Sequence, residues 1–218
     1  MDPERLRYGI KRYLNIKSAY GARFSPDGRR VAYITDVTGV PQVWALELGC
    51  SGGPQQLTSE DDRVGHVSYS RKHETIAYSL DEGGNERFQI MLLERDGAFR
   101  RALTSNKRAI HSWGGWSGDG RSVSYSSNAR HPAFFDIYVH RIDEEQPRMV
   151  YRQDGSNYPV RWSPRVDSLL FVRTDGNFDH QLYRLDVADE NVEHLTPHTG
   201  EAVYGSATFD PLSEASTA

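Results

Sequence analysis

The residues with chemical potential are a serine in a glycine-rich turn, several spaced histidines and two acidic connections. Gly115-Trp116-Ser117-Gly118-Asp119-Gly120 imitates the G-x-S-x-G elbow, which exposes a nucleophilic serine between a strand and a helix. Its second glycine falls one place late, with Asp119 where the motif requires it. His194 and His198 stand four apart, but Pro197 lies between them and no glutamate completes an H-E-x-x-H zinc helix. His66 and His111 precede Tyr69 and Trp116 by three and five positions, so regular strands would turn both toward one central channel. Asp81-Glu82, with Asn85, Glu86 and Arg87, forms the most polar connection of the chain. Its carboxylates suit a peptide's ammonium group, while a solvated Gly-Gly hairpin accounts for the same residues. Glu60-Asp61-Asp62-Arg63 is a second acidic turn. No glycine-rich phosphate loop follows a strand and opens a helix, so nucleotide binding has no support. No residue is assigned as catalytic, cofactor-binding or metal-binding.

The elements that must position these groups come from a repeat. An aromatic followed by a small or acidic residue recurs as Phe24-Ser25, Tyr69-Ser70, Trp116-Ser117, Trp162-Ser163 and Phe209-Asp210, at intervals of 45 to 47 residues. A second marker recurs every 46 residues as Leu57-Thr58, Leu103-Thr104, Met149-Val150 and Leu195-Thr196. Between them lie two apolar segments per unit, such as Val31-Ala32-Tyr33-Ile34 and Gln42-Val43-Trp44-Ala45. These are short, β-branched or aromatic, and bounded by turn residues, which is strand chemistry. Asp27-Gly28 and Asp119-Gly120 supply hairpin turns. Four strands in about 46 residues predict an all-β chain, a β-propeller of four-stranded blades. In this register Ser117 is the blade serine, equivalent to Ser25, Ser70 and Ser163, rather than a nucleophile.

The expected division is a lead-in over 1–17, blades over 18–64, 65–110, 111–157 and 158–203, and a stub with tail over 204–218. Asp2-Pro3-Glu4 with Leu6, Ile10 and Leu14 predicts a short helix over residues 3–14, an irregular arm being the alternative. Ser206 to Pro211 reads as the first strand of a fifth blade, so the ring is expected to be incomplete or truncated, with four closed blades and a frayed tail as the alternative. An unpaired strand edge invites self-association.

Composition narrows the function. The 218 residues are 37% hydrophobic and 26% charged, with a net charge of −4 and no basic block to track a phosphate backbone, so nucleic acid is not an expected partner. No apolar run approaches the roughly 18 residues of a membrane span. Met1 to Tyr20 lacks the apolar stretch of a secretory leader, and the single cysteine, Cys50, cannot form an internal disulfide. A cytoplasmic location, without membrane or cofactor, is the expectation.

The motifs Phe24-Ser25-Pro26-Asp27-Gly28-Arg29-Arg30-Val31-Ala32-Tyr33, Trp116-Ser117-Gly118-Asp119-Gly120 and Trp162-Ser163-Pro164 resemble the propeller repeats of the prolyl oligopeptidase (S9) family of serine peptidases, shared more loosely with TolB-type propellers. Tyr13-Leu14-Asn15-Ile16 and Asp81 to Glu86 look like the acylaminoacyl-peptidase and dipeptidyl-aminopeptidase branch. The likeness covers residues 10–211. It implies a non-catalytic propeller portion that gates peptide access to a hydrolase domain absent from this chain. Peptides and that domain would be the partners, and Glu82, Asn85, Glu86 and Arg87 would border the peptide entrance. The alternative is a stand-alone TolB-like propeller that binds a protein or peptide.

Overall fold

The computed structural model describes residues 9–94, 97–204 and 207–210. It is an all-β propeller array with one short helix. The first blade holds β1 (Ala19–Phe24), β2 (Arg30–Thr35), β3 (Gln42–Glu47) and β4 (Gln55–Gln56). The second holds β5 (Val64–Tyr69), β6 (Ile76–Leu80), β7 (Gln89–Leu93) and β8 (Arg100–Ala102). The third holds β9 (His111–Trp116), β10 (Ser122–His131), β11 (Phe134–Arg141) and β12 (Arg148–Tyr151). The fourth holds β13 (Ser156–Trp162), β14 (Ser168–Gly176), β15 (Asp179–Asp186) and β16 (Val192–His194). Within each blade every neighbouring pair is antiparallel and consecutive in the chain.

Alternation along the strands explains where the core sits. Both faces of an inner blade are covered, so each strand sends apolar residues to both sides. Ile76, Tyr78 and Leu93 of the second blade pack with Ile34, Val43 and Leu57 of the first. From the opposite face of that blade, Ala77, Ile90 and Leu92 pack with Trp116, Val123 and Tyr125. Ile137 and Val139 then meet Trp162, Leu169 and Phe171. The hydrophobic core is thus three layers between four blades, and each fully buried aliphatic side chain contributes roughly 1.5–3 kcal/mol.

Each joint also carries one backbone hydrogen bond near the start of the third strand. Val64 N–H donates to the Pro41 carbonyl at 2.9 Å, and His111 N–H to Phe88 at 3.1 Å. Phe135 N–H donates to Gly155 at 2.9 Å, and a fourth bond of the same kind, His180 N–H to Ala202 at 2.8 Å, ties the fourth blade to the segment that follows it. At the third joint a parallel bridge, Phe135 with Ser156, merges the third and fourth blades into one sheet.

The two sequence markers have physical roles. The marker leucines Leu57 and Leu103 are buried, and the threonine hydroxyls accept the N–H of the third strand: Thr58 from Val43, Thr104 from Ile90, Thr196 from Leu182, at 2.8 to 2.9 Å. The third unit has Val150 in place of threonine, and there the outer strand β12 is the longest of the four.

Two expectations change. The described helix spans only Ile10–Leu14, with Gly9 as its N-cap and no buried residue. The remainder of the expected 3–14 helix lies in residues 1–8, outside the described residues. Residues 207–210 join no sheet, and Ser206 and Pro211 of the expected fifth-blade strand lie outside the described residues. Thr208 and Phe209 lie instead beside Trp162 and Pro164, where the next inner strand would stand. Among the described residues no helix is long and apolar enough to cross a membrane.

Candidate functional site

The serine of the elbow-like segment belongs to the framework. Ser117 is fully buried; its Oγ donates to Asp119 Oδ1 at 2.5 Å and accepts the Ser122 N–H at 2.9 Å. Ser25 repeats this with Asp27 at 2.6 Å and the Arg30 N–H at 2.9 Å. Ser163 does so with Asp167 at 2.7 Å and the Ser168 N–H at 3.1 Å. These serines tie the first strand to the hairpin that follows it. The Ser163 hydroxyl holds the Asp167 carboxyl below the usual carboxylate range.

The histidines are separated by a bulge. Opposite β10, Val123 pairs with Trp116 and Ser124 with Gly115, but Tyr125 pairs with Trp113, so Gly114 is skipped. A Cβ on Gly114 would stand 2.5 Å from Pro159 Cγ and 2.9 Å from the Ser124 carbonyl oxygen, which requires glycine there. The skipped residue returns His111, Trp113 and Trp116 to one face of the third blade. No such irregularity separates His66 from Tyr69, so His66 faces away from Tyr69. The shared parity expected from spacing is therefore wrong. The two histidines approach the joint of blades two and three from opposite sheets: the His66 ring lies 5.8 Å from Trp113, and His111 Nδ1 stands 3.3 Å from the Phe88 carbonyl. Burial pushes each imidazole down to about 4, and the Arg23 guanidinium adds to the effect at His66. His194 stacks on Tyr183 at 4.4 Å and His198 meets Asp179 at 3.2 Å, so the two do not share a ligand position.

The four residues expected at a peptide entrance sit on the exposed connection between β6 and β7. Asn85 Oδ1 accepts the Arg87 N–H at 2.8 Å and Glu86 takes a left-handed backbone, φ 59°, so these residues close their own turn. Glu82 pairs with Lys107 at 2.8 Å. Glu82 alone of the four lines a concavity, a groove of about 340 Å³ shared with Glu60, Asp61, Asp62 and Asp81.

A larger groove of about 490 Å³ lies where the inner strands converge. Tyr69, Trp116 and Trp162 line it with Phe209, and Arg71 and Arg161 are among its other lining residues. The tryptophans are fixed by their neighbours: Trp116 Nε1–H donates to the Ser68 carbonyl and Trp162 Nε1–H to the Gly115 carbonyl, both at 3.3 Å.

Sequence reasoning missed a third repeat marker. Asp36, Asp81, Asn128 and Asp175 recur at intervals of 45 to 47 residues, in step with the aromatics, just after the second strand in the first two blades and within its last few residues in the other two. Asp36 accepts the Ser18 N–H at 2.8 Å, and Asn128 accepts the Ile110 N–H at 2.7 Å. Each caps the entry to the inner strand 18 residues earlier. Asp175 is held by Arg173 at 2.7 Å and Gln181 at 3.1 Å. Asp81 departs from the pattern: it is 2% exposed and neither carboxylate oxygen has a hydrogen-bond partner.

With the geometry established, the comparisons place the fold. No family model matches the chain. A curated protein of Agrobacterium fabrum, itself uncharacterized, is 24% identical over 183 residues, which is 84% of this chain and 58% of that protein. The chain thus spans under two thirds of that relative's length. The solved structure of a candidate TolB of Agrobacterium tumefaciens aligns with TM-score 0.65 and 24% identity, over 84% of this chain and 63% of its own. A prolyl endopeptidase structure aligns with TM-score 0.67 and 13% identity, over 84% of this chain and 30% of its own. The propeller fold is shared with both kinds of protein. At these identities the likeness is one of fold, which does not by itself carry function.

Proposed function

We propose that this chain is a non-catalytic propeller portion that receives an extended peptide in the groove walled by Trp116, Trp162 and Phe209. The groove itself supports this reading: it is open, and its lining combines aromatic residues with two arginines, a combination suited to a flexible chain bearing a carboxylate. In the parent protein the portion gates peptide access to an S9-type hydrolase domain. The fold shared with prolyl endopeptidase propellers supports this, as do the blade motifs. The groove, not the β6–β7 connection, is the entrance we favour, because Asn85, Glu86 and Arg87 are spent on their own turn.

Intrinsic tryptophan fluorescence tests the reading. Titration with unstructured acidic pentapeptides should give a saturable change, weaker with basic pentapeptides and lost in Arg161→Glu. An unchanged spectrum with every peptide would overturn it. Covalent labelling of Ser117 by a fluorophosphonate would overturn the non-catalytic assignment.

A second reading, a stand-alone TolB-like propeller that binds a protein or peptide, is favoured by the 24% identity to the candidate TolB structure. The mass of the polypeptide that carries this chain in its native cell separates the two, because gating requires a hydrolase domain on the same polypeptide.

A further inference from the structure

We propose that the groove floored by Asp81 is a binding site for a primary alkylammonium group, a lysine side chain or a free diamine. A buried carboxylate with neither oxygen hydrogen-bonded costs several kcal/mol that an incoming donor would recover. The repeat supplies an internal control. Asp36 and Asn128, at the same place in their blades, each accept a backbone N–H from 18 residues earlier. The corresponding residue for Asp81 is Arg63. Its guanidinium leans on the Phe88 ring, 5.5 Å from the centroid, with Nε 3.9 Å from Asp81 Oδ2, beyond hydrogen-bond reach. Asp81 is thereby left in the lining of the groove with two acceptor oxygens and no hydrogen-bond donor.

The other walls select the cation. Glu60 is already engaged, accepting from Tyr78 Oη at 2.7 Å and from Arg100 at 2.5 Å. Lys107 is held by Glu82 and is not on Asp81. Asp61 and Asp62 remain to reinforce the negative potential at the mouth. Leu80 and Met91 line the same groove and give an alkyl stem an apolar wall, as long cationic side chains prefer. Among the described residues no three His, Cys, Asp or Glu side chains are arranged to hold a metal ion, so an organic cation suits the site better than a divalent one. The site is separate from the peptide groove and does not rest on its function.

Calorimetric titration with cadaverine and, separately, with N-acetyl-lysine methylamide tests the proposal. Both should bind one site per chain, the lysine derivative alone pointing to a polypeptide ligand and a preference for cadaverine to a free diamine. Asp81→Asn should weaken binding at least tenfold. That variant keeps the fold, since asparagine occupies the equivalent position 128, and unchanged thermal unfolding would verify it. Glu193→Gln, on the exposed outer strand of the fourth blade and away from the groove, should change affinity less than threefold. No saturable binding of either amine, equal binding by Asp81→Asn, or binding of calcium in preference to both amines would overturn the proposal.

Discussion

The indole N–H of Trp116 donates to the main-chain carbonyl of Ser68, 48 residues earlier and one blade back. Trp162 repeats the contact with Gly115. The third and fourth blades are thus each keyed into the inner strand of their predecessor. Trp162→Phe keeps the ring and removes the donor, leaving the Gly115 carbonyl without it. The expected loss is about 1 kcal/mol, against about 3–5 kcal/mol for Trp162→Ala. Urea unfolding of the two variants measures the difference.

Phe24 occupies the same place in the first blade and is 66% exposed, against 4% for Trp116. All of β1 is exposed as well. The chain should therefore associate head to tail, the open face of one copy's first blade meeting the last blade of another. Sedimentation equilibrium should show a concentration-dependent mass for the wild type and a smaller one for Phe24→Glu. A wild-type chain that stays monomeric at high micromolar concentration would refute this.

His66 and His111 make stability fall in acid. A histidine whose folded pKa is depressed takes up its proton more readily in the unfolded chain, so its contribution is complete above the ordinary value of 6.5 and is lost as the pH drops toward about 4. Between pH 7 and pH 5 each should cost about 2 kcal/mol. The double variant His66→Gln, His111→Gln should have a shallower slope over that window in urea unfolding monitored at successive pH values.

Gly114→Ala tests the bulge. The new methyl group meets Pro159 and Ser124 at 2.5 to 2.9 Å, and relief requires β9 and β13 to part. A destabilisation of about 1–3 kcal/mol is expected, the range of overpacked cores. Gly28→Ala, whose Cβ meets nothing within 4 Å but whose φ is +70°, separates backbone strain from overpacking in the same assay.

Ser117→Ala should act on stability through Asp119 and the Ser122 N–H, with a loss of about 1–2 kcal/mol and no change in peptide binding. Ser25→Ala and Ser163→Ala should match it. A Ser117 effect confined to peptide binding, without a change in unfolding, would contradict the framework role.

The propeller was legible because its signals are local and repeated. Aromatic-serine pairs, Leu-Thr pairs and Asp-Gly turns each act within a few residues of themselves, and their recurrence needs no knowledge of neighbours. The histidines misled because Gly114 is bulged: a bulge inverts the facing of everything before it, and Pro159, whose contact demands a glycine there, lies in the next blade. The Asp81 groove was half visible. Its acids stood out as two turns, Glu60 to Asp62 and Asp81-Glu82, but their convergence depends on how two blades stack. The capping role of Asp36 and Asn128 was readable in principle, since an Asp or Asn recurs at or near the end of the second strand in every unit.

The backbone bonds at the joints, Val64 to Pro41, His111 to Phe88 and Phe135 to Gly155, bear on how far the units can diverge. A main-chain fastening is blind to side-chain identity, and one of its acceptors is a proline, which has a carbonyl but no N–H to give. Mutation can rewrite the residues at these points without loosening them. This gives neighbouring units licence to differ, with Gln42 and Gln89 opening the third strand in two of them and Phe134 and Asp179 in the others, while the pitch from one leaf to the next is kept.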